Sequence, residues 1–94
     1  MIKPTIGRVV WFYPQGAKQI LNNIQPHAAM IAYVHSDTMI TIGYFNSYGV
    51  ACSQTSVRLI QEEQDFPECP FCSWIPYQKG QAAKTEALEK KLGL

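Results

Sequence analysis

No stretch of the chain approaches the ~20 apolar residues that cross a bilayer as a helix, and the N-terminal MIKPTIGR lacks the charged-then-apolar layout of a secretory leader. These absences give the expectation of a protein that stays in the cytoplasm of the cell that makes it and has no membrane role. Excess charge is missing too. Eight Lys+Arg against seven Asp+Glu leave a formal +1, short of the positive field of a nonspecific nucleic-acid binder and not acidic enough to mimic DNA. Cysteine is scarce: three thiols, an odd number with no export signal, fit reduced side chains better than a disulfide framework. There is no phosphate-loop glycine pattern, no pair of metal-binding carboxylates and no dinucleotide fingerprint, and no internal repeat or low-complexity tract.

What the chain does have is apolar and aromatic side chains in short bursts. Apolar residues make up 47% of it, with five Tyr and four Phe, a composition that folds. Its 94 residues suffice for one domain. A domain of this size buries only about 60–65% of its unfolded surface, so a homo-oligomer is expected as a way of adding buried area.

Residues 6–13 (IGRVVWFY) are rich in β-branched and aromatic side chains and stop at Pro14, which predicts a strand. Residues 15–25 (QGAKQILNNIQ) are polar and bounded by Pro14 and Pro26; they predict a long loop with one helical turn around 17–21, of the kind that carries binding function. Residues 28–35 and 39–45 predict a hairpin turning at Ser36-Asp37-Thr38, whose side chains can bond nearby backbone groups. Asn46-Ser47-Tyr48-Gly49 is the next turn, with Gly49 free to take a positive φ. Residues 50–60 then give one bent strand or two short ones. An acidic connector, 61–68 (QEEQDFPE), leads to a short closing strand within 71–75, ended by Pro76.

Strands at this spacing in meander order predict a mainly β protein: a small antiparallel SH3-like barrel or a bent sheet. Over 78–92 (QKGQAAKTEALEKKL) the period changes. Ala83, Ala87, Leu88 and Leu92 recur at three- and four-residue spacing, Glu86 pairs with Lys90, and Lys90-Lys91 suit the C-terminal dipole, so a C-terminal helix stopped by Gly93 is expected. The whole chain, 1–94, reads as a single α+β domain, with the meander over 5–75.

Four segments together, KPTIGRVVWFYP (3–14), PHAAMIAYVHSDT (26–38), TSVRLIQ (55–61) and WIPYQKGQAAK (74–84), resemble a group of small proteins encoded by tailed bacteriophages and prophages. The likeness spans nearly the whole chain. It implies a phage origin and a setting in the host cytoplasm, and it implies no particular reaction and no catalytic residues. The Cys69/Cys72 pair is not part of the shared pattern.

Cys69 and Cys72 have the two-residue spacing of a metal knuckle, but a structural zinc needs four ligands. Cys52, His27 and His35 stand on other strands without a second knuckle spacing, so Cys72 is expected to pack as a small hydrophobe and Cys69 to lie in a loop. Redox chemistry needs such a pair at a helix N-terminus in a βαβ unit, which the β context opposes. His35-Ser36-Asp37 has the residue types of a triad, but neighbours in a tight turn cannot face one another as a triad must. No enzyme and no cofactor is therefore expected. The recognition-capable residues are aromatic and basic: Trp74, Tyr77, Lys79 and Lys84 at the strand-to-helix junction, with Arg8, Trp11 and Arg58. Aromatic faces stack rings and anchor partners, and cations hold phosphates.

These residues, with the phage likeness, lead to the expectation of a non-enzymatic binding protein. It would capture a small nucleotide-like host signal, or block a host defence protein, and so oppose host defence. The alternatives are a virion or assembly component and a small zinc-stabilised adaptor.

Overall fold

Apolar side chains at every second position of a strand line up on one face of the pleat, and the chain uses this rule five times. The computed structural model describes residues 2–61 and 66–75. It contains β1 (Val9–Tyr13), α1 (Ala17–Leu21), β2 (His27–Ser36), β3 (Met39–Phe45), β4 (Ala51–Ile60) and β5 (Phe71–Ser73). The strands close into a five-stranded barrel in the order β1-β2-β3-β4-β5, with β5 returning to β1. Val10 and Phe12, Ala29 and Ile31, Ile40 and Ile42, Val57 and Leu59, Cys72 and Trp74 point inward and form the core. The C-terminal helix expected over 78–92 lies outside the described residues, as do residues 62–65 of the acidic connector.

The barrel is not wholly antiparallel as the meander suggested, because β4 and β5 pair in parallel. The reason is parity: with five strands in a closed ring, directions cannot alternate all the way round, so one pair must run the same way. β5 in turn runs antiparallel to β1.

Residues 51–60 form one strand bent by a bulge rather than two strands. Ile40 pairs with Val57 but Ile42 with Gln54, so β4 carries an extra residue there, and Ser56 takes a left-handed φ of 53°. Such bulges bend the strand and sharpen its twist, which five strands need in order to close. The turn after β3 is built as read: Gly49 has φ 78°, and the Asn46 carboxamide oxygen accepts from the backbone N–H of Tyr48 (2.9 Å) and Val50 (3.0 Å).

Two glutamines hold what the strands leave loose. Gln61, at the end of β4, uses its whole carboxamide: Oε1 accepts from Ile2 N–H and the Trp74 indole N–H (3.2 and 3.1 Å), while Nε2 donates to the carbonyls of Ile2 and Asp37 (2.9 and 2.8 Å). One side chain thus joins the N-terminal segment, the β2–β3 turn and the residue after β5. Gln19 on α1 is 1% exposed. Its Oε1 accepts from Gln15 N–H (3.3 Å) and its Nε2 donates to the Gln25 carbonyl (2.7 Å), so a buried polar group with both its functions met gathers the ends of the long loop.

Candidate functional site

Alternation that sends Val10 and Phe12 inward sends Val9, Trp11 and Tyr13 outward, and the outer surface differs on the two sides of β1. On the β5 side, Tyr13 stacks on Phe71 with ring centres 5.0 Å apart, and Phe66 stacks on Phe71 at 5.4 Å. Phe71 is fully buried although it faces away from the barrel interior. This cover is fastened to α1 by the Ala17 N–H, which donates to the Pro67 carbonyl at 2.8 Å, and by Gly16, whose φ is 67° and where a Cβ would run into the Glu68 carbonyl. Burial pushes the Tyr13 phenol up, and its hydrogen bond with Ser73 partly offsets this.

On the β2 side no described residue covers the outward side chains. Val9 pairs with Met30, Trp11 with Ala28, and Met30 with Gly43; one step beyond the Ala29–Tyr44 pair comes Phe45, opposite Ala51 of β4. Trp11 is 36% exposed, Met30 52% and Phe45 58%. A cleft of about 330 Å³ opens where the long loop returns to the sheet, lined by Trp11, Gln25, Pro26 and Ala28. A smaller apolar depression of about 100 Å³ adjoins it, lined by Val9, Ala28, Ala29, Met30, Gly43 and Phe45. Ala28, small and exposed, is shared by both.

The two ends of the barrel also differ. Beyond the far end of β1, Phe12 packs against Tyr44 at 4.7 Å and His27 stacks on Tyr44 at 5.7 Å. At the near end, the Arg8 guanidinium lies 5.5 Å from the centre of the Trp74 ring, within cation–π range.

The residues singled out from sequence are therefore dispersed. Trp74, expected at a recognition surface, is 2% exposed: two residues after inward-facing Cys72 it continues into the core, and Gln61 satisfies its indole N–H. Arg8 meets it there. Trp11 is exposed, but on the β1–β2–β3 face. Arg58 is exposed on β4, paired in register with Met39 and Phe71. Tyr77, Lys79 and Lys84 lie outside the described residues. Sequence reading missed Gln25, Pro26 and Ala28, the rest of the cleft wall, and Gln19 behind them. Pro26 had served only as the end of a loop, and the signal available was its position directly before a strand whose outward residues are small.

The cysteines fall where their types suggest: Cys69 is exposed, Cys52 intermediate and Cys72 buried. Burial pushes the Cys72 thiol up to about 12, which opposes the thiolate that zinc ligation and redox attack require. No group of three or more His, Cys, Asp or Glu among the described residues is arranged to hold a metal ion. Nor is any described helix long and apolar enough to cross a membrane. Comparison of the chain with protein-family profiles, with curated proteins and with solved structures gave no match.

Proposed function

We propose that the protein is a non-enzymatic binding protein of phage origin that captures a small nucleotide-like ligand in the host cytoplasm and so opposes host defence. The observation that carries this reading is the cleft formed by Trp11, Gln25, Pro26 and Ala28. Its volume of about 330 Å³ lies at the small end of ligand pockets. An indole face beside a proline ring and a carboxamide suits a flat heteroaromatic ring, because the rings supply stacking and the amide reads donors and acceptors at its edge. A rigid strand presents Trp11, and the buried Gln19 fixes the backbone of Gln25, so the wall is preorganised and binding spends little on ordering it. Arg8 is engaged over Trp74 and Arg58 stands in register with Phe71 on the other side of β1, so of the cations singled out from sequence Lys79 and Lys84, outside the described residues, are the ones proposed for a phosphate. The meander order and the closure of β5 on β1 support the finer likeness to SH3-like barrels.

Isothermal titration of the full chain against a panel of nucleoside mono-, di- and cyclic phosphates tests the reading. Saturable binding is expected for at least one of them, weakened by about 10-fold or more in Trp11→Ala, since loss of a stacking aromatic costs ~1–3 kcal/mol. Absence of binding across the panel, with a host protein co-purifying instead, would replace ligand capture by blocking of that protein.

A second reading, a virion or assembly component, is favoured by one observation: the uncovered face on β1, β2 and β3 is apolar and uncharged. Mass spectrometry of purified particles separates it from the first, since a captor of host signals need not be packaged.

A further inference from the structure

We infer that the outer face of β1, β2 and β3 is a two-fold interface on which a second copy of this chain packs, with Met30 and Phe45 at its centre. Closure of the barrel restricts how copies can meet. The five strands join in a ring in which β5 pairs with Arg58–Ile60 of β4 and β1 with His27–Met30 of β2, so the edge left for a neighbour's strand is confined to the remaining reaches of β2 and β4, and a broad contact has to use a face.

Among the described faces, this one has the area. Val9, Trp11, Met30 and Phe45 are 39, 36, 52 and 58% exposed, which leaves roughly 280–460 Å² of large side chain in solvent at 150–250 Å² for a full side chain. Exposed Ala28, Ala51 and Ser53 extend the same surface towards roughly 600 Å². That is the upper end of what a monomer exposes as one patch, and it equals the per-partner area of a small stable interface, ~600–800 Å².

The face also has the charge and relief that self-association needs. In a two-fold interface each surface meets a copy of itself, so any charge near the axis confronts its like. Strands β1, β2 and β3 contain no Asp, Glu, Lys or Arg, although the described chain carries such residues at Lys3, Arg8, Lys18, Asp37, Arg58 and Glu68. Large and small residues alternate across the strands in one row, Trp11, Ala28, Phe45 and Ala51, while in the next Val9 and Met30 stand beside Gly43 and Ser53. Phe45 and Met30 are thus knobs beside the hollows at Ala28 and Gly43, and the depression of about 100 Å³ around Met30 and Phe45 is a socket for the partner's copy of those side chains. The proposal does not depend on ligand capture, although a second copy seated here would also wall the adjacent cleft at Trp11 and Ala28.

Sedimentation equilibrium of the full chain from low micromolar to millimolar concentration, with Met30→Glu, Phe45→Glu and Tyr33→Glu run alongside, tests it. All three positions are exposed, and Tyr33 lies past the bulge after Ile31, on the other half of the β2–β3 hairpin. The expected result is a dimer whose dissociation constant rises about 30-fold or more in Met30→Glu and in Phe45→Glu and stays within about 3-fold in Tyr33→Glu, with circular dichroism unchanged. If a variant fails to fold, the milder Phe45→Ser gives the same readout. A monomer at millimolar concentration overturns the proposal, whether residues 76–94 or a foreign protein occupies the face. So does a dimer that Met30→Glu and Phe45→Glu leave intact.

Discussion

The two sides of β1 start from the same chemistry and end differently. Tyr13 and Trp11 are both outward-facing aromatics on one short strand, two residues apart. Tyr13 lies under Phe71 and Phe66, in a cluster fastened to α1 by the Pro67 carbonyl and the tight approach at Gly16. Trp11 lies open beside Ala28 and the return of the long loop. The pleat decides which residues face out, but connectors decide which of those are covered. Apolar residues that no described connector covers are the ones proposed for a ligand or a partner.

The difference can be broken most severely from inside. Replacing buried Trp74 by alanine removes a core indole and leaves the Gln61 carboxamide without one of its four partners, so a loss of about 3–5 kcal/mol is expected in chemical denaturation. The same truncation at Trp11 defines the other end of the scale, below. Next comes the fastening of the covered side: Gly16→Ala places a side chain at a positive φ and against the Glu68 carbonyl. A loss of about 2–3 kcal/mol is expected, together with faster proteolysis near residues 66–69. Unchanged stability would show that the connector is not fastened there.

A smaller effect is expected from pH. The folded state holds the Cys72 proton up to about 12, above its ordinary value of 9.0. Above pH 9 the unfolded chain ionises this thiol while the folded chain does not. The group's contribution is therefore whole below pH 9 and is lost as pH rises towards 12, at up to about 1.4 kcal/mol per pH unit. Denaturation at pH 8 and pH 10 should show that slope in the native chain and a shallower one in Cys72→Ala, and a thiol reagent at pH 8 should label Cys69 well before Cys72. The smallest change expected is in Trp11→Ala. At concentrations low enough to keep the chain monomeric, it should cost less than about 1 kcal/mol, as a surface substitution does, while ligand binding or association is lost.

Much of the fold was legible because it rests on local rules. Runs of β-branched and aromatic residues between turn signals located the strands, Pro14 and Pro26 bounded the loop, and Ala17–Leu21 forms a short helix where the polar loop allowed one turn. Cys72 packs as the small hydrophobe its type suggests. The parallel β4–β5 pair was not legible from pairwise patterns, since it follows from counting strands in a closed ring. Gln19 and Gln61 were not legible either: a glutamine in a loop or at a strand end is ordinarily solvated, and only the folded chain brings four backbone and indole groups to one carboxamide. The site was less legible than the fold. Sequence favoured Trp74 because it stands among aromatics and cations, but residue type cannot tell an indole that closes the core from one that faces solvent. Trp11 was singled out and is exposed, whereas its cleft partners Gln25, Pro26 and Ala28 are brought to it by the loop's return rather than by neighbourhood in the chain.

The two tryptophans offer the most direct measurement of the central claim, that the barrel is filled inside and left open for docking on its β1–β2–β3 face. In Trp11→Phe the remaining Trp74 should emit at the short wavelengths of a buried indole, unchanged by dilution. In Trp74→Phe the remaining Trp11 should emit at longer wavelength and be readily quenched by iodide when dilute, then shift blue and become protected as concentration rises through the dimer transition. Trp11 emission that is blue and protected at every concentration, or red and quenchable at every concentration, would contradict the account.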